Sequence, residues 1–142
     1  MRSVALRART AATMVRLLPL YLTFGLLKPH VSLQRLAQWA WTPARSNPVR
    51  GEQERIVGCV VRLRQLLRVI DTDCVPRSLI LYRELSRLGR NPRLCVGFKN
   101  SGTTLEGHAW IEVDGRAIGE PDPAAAGFQR RLSFAADGEL AA

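Results

Sequence analysis

The chain has 142 residues, 46% hydrophobic and 23% charged, which fits one folded domain and excludes wholesale disorder or a fibrous repeat. The net charge of +9 is held unevenly: residues 1–70 carry twelve Arg or Lys against two acids, and residues 71–142 carry nine against ten. All basic residues except Lys28 and Lys99 are Arg, and without a zinc finger, an RNP-type aromatic pattern or a reader helix the charge does not call for a nucleic-acid partner.

The N-terminus imitates a signal peptide, with Arg2, Arg7, Arg9 and Arg16 ahead of the apolar run from Leu17 to Leu27. Lys28-Pro29-His30 then stands where a small-residue cleavage site belongs. The eleven residues between Arg16 and Lys28 also fall short of the about 20 that a spanning helix needs. A cytoplasmic protein is expected, with peripheral membrane contact as the alternative.

Residues 3–27 have helix-compatible spacing interrupted at Pro19, and Val31 to Trp41 forms a second helical stretch before Pro43. The Pro/Ser/Asn/Gly-rich segment Thr42 to Gly51 reads as a linker, dividing a basic helical arm (residues 1–50) from a compact core (residues 51–142). From Glu52 to Ile70, the apolar residues Ile56, Cys59, Val60, Leu63, Leu66, Leu67 and Ile70 follow amphipathic spacing, which puts Cys59 on a buried stripe.

Asp71-Thr72-Asp73 offers cap candidates for the next helix, and Pro76 sits in the first turn, where a missing N–H is harmless. That helix passes through Leu81, Leu85 and Leu88 and stops at Gly89. Arg93 to Phe98 has strand composition, Asn100 to Thr103 is a turn, and His108 to Val113 alternates as a second strand. Asp114-Gly115 returns the chain into a third strand, Arg116 to Glu120. The Ala-rich tail from Pro123 is assigned only the packing of Phe128, Leu132 and Phe134. Helices followed by a hairpin-containing sheet predict an α+β fold.

Cys59, Cys74 and Cys95 make no CxxC pair and no zinc-spaced cluster, so neither a disulfide scaffold nor a structural metal is indicated. Cys74 stands at the mouth of a helix, where unpaired N–H groups favour a thiolate and are able to receive the oxyanion of an attacked carbonyl. His30 follows a proline in the basic arm and reads as a surface residue. His108 opens a strand between Gly107 and Ala109, with room for a substrate beside the imidazole.

A histidine base also needs a carboxylate to fix its tautomer. A two-residue turn at Asp114-Gly115 would set Val113 against Arg116 and put Glu120 on the other side of the sheet. A three-residue loop would set His108 against Glu120, and this second register is favoured because it brings the acid to the base. Asp122 is the reserve candidate. Trp110 and Tyr82 are candidates to line a peptide groove, with hydrophobic packing the stronger reading for Trp110, and Arg77 is a substrate-binding candidate that also suits organising the helix mouth by binding a carboxylate or carbonyl.

The order Cys, His, carboxylate is the one used by papain-like and transglutaminase-like enzymes. The segments Cys74 to Arg83, Gly89 to Phe98 and Gly107 to Gly115 resemble the leader peptidase of lasso-peptide biosynthesis, the stand-alone protease part of the split B protein. The resemblance implies a transglutaminase-like cysteine protease core that needs no cofactor or metal. It further implies that the protein removes the leader of a ribosomally made precursor peptide, presented by a separately encoded leader-recognition protein, before a lasso cyclase closes the ring. The family commonly has Asp twelve residues after the histidine, where this chain has Glu120. Two other readings compete: an amidotransferase using the same acyl-enzyme, and a non-catalytic basic peptide-binding module.

Overall fold

The computed structural model describes residues 2–45, 47, 49–68 and 73–141. The cap candidates Asp71 and Thr72, the stripe residue Ile70, and Ser46 and Pro48 of the linker lie outside the described residues.

Four helices precede a five-stranded antiparallel sheet: α1 (Arg2–Leu27), α2 (Leu33–Ala40), α3 (Glu52–Leu66), α4 (Cys74–Arg87), then β1 (Arg93–Asn100), β2 (Leu105–Val113), β3 (Arg116–Ala117), β4 (Gln129–Phe134) and β5 (Leu140–Ala141). The sheet order is β3-β2-β1-β4-β5. The tail therefore supplies two strands where only packing was expected. β4 pairs with β1, setting Leu94 opposite Phe134, and β5 pairs with β4.

α1 runs unbroken through Pro19. The proline is exposed, as is Val15 one turn before it, so the carbonyl that loses its N–H partner faces solvent. The helix, rather than its uncharged run alone, is long and apolar enough to cross a membrane by length and composition: Val4–Leu27 has 24 residues and contains an 18-residue stretch of mean hydropathy 1.4.

One apolar cluster joins the helices to the sheet. Leu17, Tyr21 and Phe24 of α1 and Leu36, Ala37 and Ala40 of α2 lie in the same buried cluster as Ile56, Leu79, Ile80, Leu85, Leu94 and Ile111. The core thus draws on both sides of the 50/51 division, and α1 and α2 pack into it instead of forming a detached arm. α4 is the central element and touches α1, α2, α3, β1 and β2. α3 ends at Leu66, and its predicted stripe residues Ile56, Cys59, Val60 and Leu63 are buried.

Candidate active site

Three pieces of local chemistry open α4. Asp73 is its N-cap, with Oδ1 accepting the Val75 N–H at 2.9 Å. Its second oxygen forms an ion pair with Lys28 from the end of α1. Burial works to raise the Asp73 pKa, but Lys28, the Val75 N–H and Cys74 outweigh it and hold the carboxyl below its ordinary value. Cys74 is then the first helical residue, and its own N–H has no acceptor within the helix.

β2 meets this helix start along an edge that is left open, because β3 pairs only with Glu112 and Val113. On that edge the Ala109 N–H donates to Cys74 Sγ at 3.2 Å, while the Ala109 carbonyl accepts from Ser78 Oγ at 2.9 Å and from Arg77 at 3.4 Å. The β2 backbone is thereby anchored to the first turn of α4. His108, the preceding residue, shares a hydrogen bond with Cys74, and its Nε2 lies 2.5 Å from Glu120 Oε2. With Nε2 committed to Glu120, Nδ1 is the ring nitrogen left for the sulfur.

Glu120 arrives by a route that the expected register did not foresee. The turn is the two-residue one: Asp114 and Gly115 both have positive φ, Val113 faces Arg116, and Glu112 faces Ala117. Strict alternation would then place Glu120 away from His108. Regular pairing instead stops after the Ile118 N–H bonds the Ile111 carbonyl, and Gly119, with φ +76°, redirects the chain. Freed from the pleat, Glu120 spans two partners, with Oε2 on His108 and Oε1 on the Arg77 guanidinium.

The His108 pKa is pushed up to about 9 by its hydrogen bonds to Cys74 and Glu120, against an opposing effect of burial. The imidazole is wedged between rings, 5.0 Å from Phe128 and stacked 5.9 Å from Trp110. A cleft of about 230 Å³ opens over Cys74 and His108, walled by Leu33, Val75, Gly107 and Ala109. A larger cavity of about 470 Å³ beside Trp41, Ser86 and Arg93 contains neither the cysteine nor the histidine. Among the described residues, no three His, Cys, Asp or Glu side chains come together as a metal-ion site.

Several sequence expectations change. Trp110 and Tyr82 do not line a peptide groove, being 3% and 0% exposed, and Arg77, 2% exposed, does not reach substrate but binds a carboxylate and a carbonyl at the helix mouth, as its position there suggests. Arg77 holds Glu120 from inside the protein, and Trp110 backs His108 while its Nε1 donates to Glu112 at 2.8 Å. Tyr82 is fully buried and ties down the tail, donating to the Ala135 carbonyl and accepting the Gly138 N–H. Asp122 is exposed and accepts the Ala124 N–H at 3.0 Å, so it caps a turn. Sequence reasoning missed the wedging of His108 by Phe128, which lies in a tail without usable periodicity.

Cys59 and Cys95 are completely buried, and burial raises the pKa of each, that of Cys95 to about 11. Cys74 is the one cysteine that keeps partial exposure.

No curated protein and no solved structure matches the chain. A model of the transglutaminase-like superfamily matches residues 14–133, a span that contains Cys74, His108 and Glu120 together with the second half of α1 and most of β4. That superfamily is typically catalytic, of the cysteine type, and includes both cysteine peptidases and amidotransferases. A cysteine at a helix mouth, a histidine on the facing strand and a match over most of the sequence place this chain in the transglutaminase-like superfamily.

Proposed function

We propose that the protein is a cysteine peptidase that removes the leader from a ribosomally synthesised precursor peptide of the lasso class. The observation that carries this reading is a single imidazole joined on one side to Cys74 and on the other to Glu120 Oε2 at 2.5 Å. The lasso class is supported by the resemblance of the segments Cys74 to Arg83, Gly89 to Phe98 and Gly107 to Gly115.

In this mechanism His108 takes the thiol proton of Cys74, and Sγ attacks the carbonyl carbon at the leader–core junction, forming a C–S bond and an oxyanion. The Cys74 N–H at the start of α4 faces the developing charge. His108 gives its proton to the departing amine as the C–N bond breaks, and then takes a proton from the water that hydrolyses the thioester. Glu120 keeps Nδ1 aimed at sulfur and stabilises the imidazolium, and Arg77 keeps Glu120 in place. The same resemblance supports a separate leader-recognition protein that supplies substrate and a lasso cyclase that receives the core peptide. The cytoplasm, where such precursors are made, is the proposed location.

The test is incubation of precursor, leader-recognition protein and this protein, followed by intact mass. Wild type should yield leader and core with one water added, and Cys74→Ala and His108→Ala should yield neither. A product carrying an amine in place of water would move the assignment to amidotransferase. Cleavage by Cys74→Ala at the wild-type rate would overturn the nucleophile.

A further inference from the structure

α1 has two apolar faces, and the core uses only one. Thr13, Leu17, Tyr21 and Phe24 are buried on the inner side, all at 8% exposure or less. On the opposite side Val4, Ala8, Ala11, Val15, Leu18, Leu22 and Leu26 recur at intervals of three or four residues, and every one is exposed. Val4, Val15 and Leu26 each show more than 70% of their surface to solvent, and Leu18 and Leu22 show 37% and 43%. The stripe extends over about 33 Å of helix at the standard rise. No acidic side chain interrupts it.

Charge decides what covers this face. Residues 1–51 contain eight Arg or Lys and no Asp or Glu. Arg7 and Arg9 are exposed on α1, Arg7 flanking the apolar stripe and Arg9 farther round the helix. A second copy would bring two acid-free, arginine-bearing helices against each other. An anionic lipid surface provides the opposite charge and an apolar layer for the valines and leucines.

We propose that α1 docks the protein in the plane of an anionic membrane, with the Val4-to-Leu26 stripe in the headgroup boundary. The helix lies on the bilayer and does not cross it, because its other face is committed to the core. Arg16 is bonded to the buried Glu84 through both nitrogens, at 2.8 and 2.9 Å, and extraction of the helix would strip that carboxylate of a partner. The inference is independent of the proposed substrate.

The test is co-flotation of the purified full-length protein with vesicles of phosphatidylcholine alone or mixed equally with phosphatidylglycerol. Binding is expected only to the mixed vesicles, and about 0.5 M salt should weaken it by screening. The Leu18→Glu/Leu22→Glu pair should lower the bound-to-free ratio at least about tenfold, since two buried apolar side chains are lost. Leu140→Glu, an exposed leucine elsewhere, should leave it unchanged. Circular dichroism checks that the pair still folds, and Arg7→Gln/Arg9→Gln tests the charge separately without touching the stripe. Absence of binding, equal binding to neutral vesicles, or a dimer in light scattering that the glutamate pair dissolves would each overturn the proposal.

Discussion

The buried Glu84 and the half-buried Glu120 are both held by arginine, and they do different work. Glu84, fully buried on α4, accepts both terminal nitrogens of Arg16 from α1 and a nitrogen of Arg87 at 2.7 Å. Glu52 extends the cluster toward Arg87 and Arg55. Every cation there is a guanidinium, and the bond to Glu84 pushes the Arg16 pKa still higher. Glu120 has the same kind of arginine on one oxygen but a histidine on the other. Replacing one guanidinium by an imidazole converts a clamp between helices into a group able to pass protons, with Arg77 left to do the holding.

The largest effects should separate chemistry from scaffold. Cys74→Ala and His108→Ala should each reduce precursor cleavage by at least about 10³-fold while thermal unfolding stays near wild type, since both line the cleft and neither belongs to the apolar cluster. Glu120→Gln should lower cleavage by about 10²–10⁴-fold, because the imidazolium loses its counter-charge and its fixed tautomer. If Glu84→Gln were equally harmful to cleavage by the folded fraction, the distinction between the two clusters would fail. Glu84→Gln should instead lower stability by about 3 kcal/mol in denaturant titration, because it leaves Arg16 and Arg87 without their buried partner.

Acidity should sharpen the same contrast. The folded-state pKa of His108 is raised from 6.5 to about 9, so its contribution to stability is complete below pH 6.5 and fades as pH climbs through about 9. Over that same rise the imidazolium needed to protonate the leaving amine disappears, and cleavage should fall about tenfold per pH unit beyond it. Glu120→Gln should move this limb toward lower pH, whereas Glu84→Gln should leave its position unchanged. Asp122→Asn should have the smallest effect, under about twofold on cleavage, since an exposed turn cap contributes little.

What was legible beforehand was local. The start of α4 at Asp73 and Cys74, its end before Gly89, the buried stripe of α3 and the Asp114-Gly115 turn are each encoded within a few residues, through caps, periodicity and positive φ. Glu120 was selected for a register that the chain does not adopt. It reaches His108 because Gly119 ends the pairing, and that exit from the pleat leaves no periodic trace.

The sequence by itself determined the elements that short-range hydrogen bonding and amphipathic spacing specify, and it singled out Cys74 and His108 as the candidate pair. Only the tertiary structure decided that Arg77 and Trp110 are interior supports, that the tail adds β4 and β5, and that α1 is a wall of the core with a second apolar face outward. Arg77 depends on Glu120, the tail strands on β1 and the inner face of α1 on α4, all distant in sequence. Burial of an arginine or a tryptophan becomes favourable only once that distant carboxylate, ring or strand is in place to satisfy it.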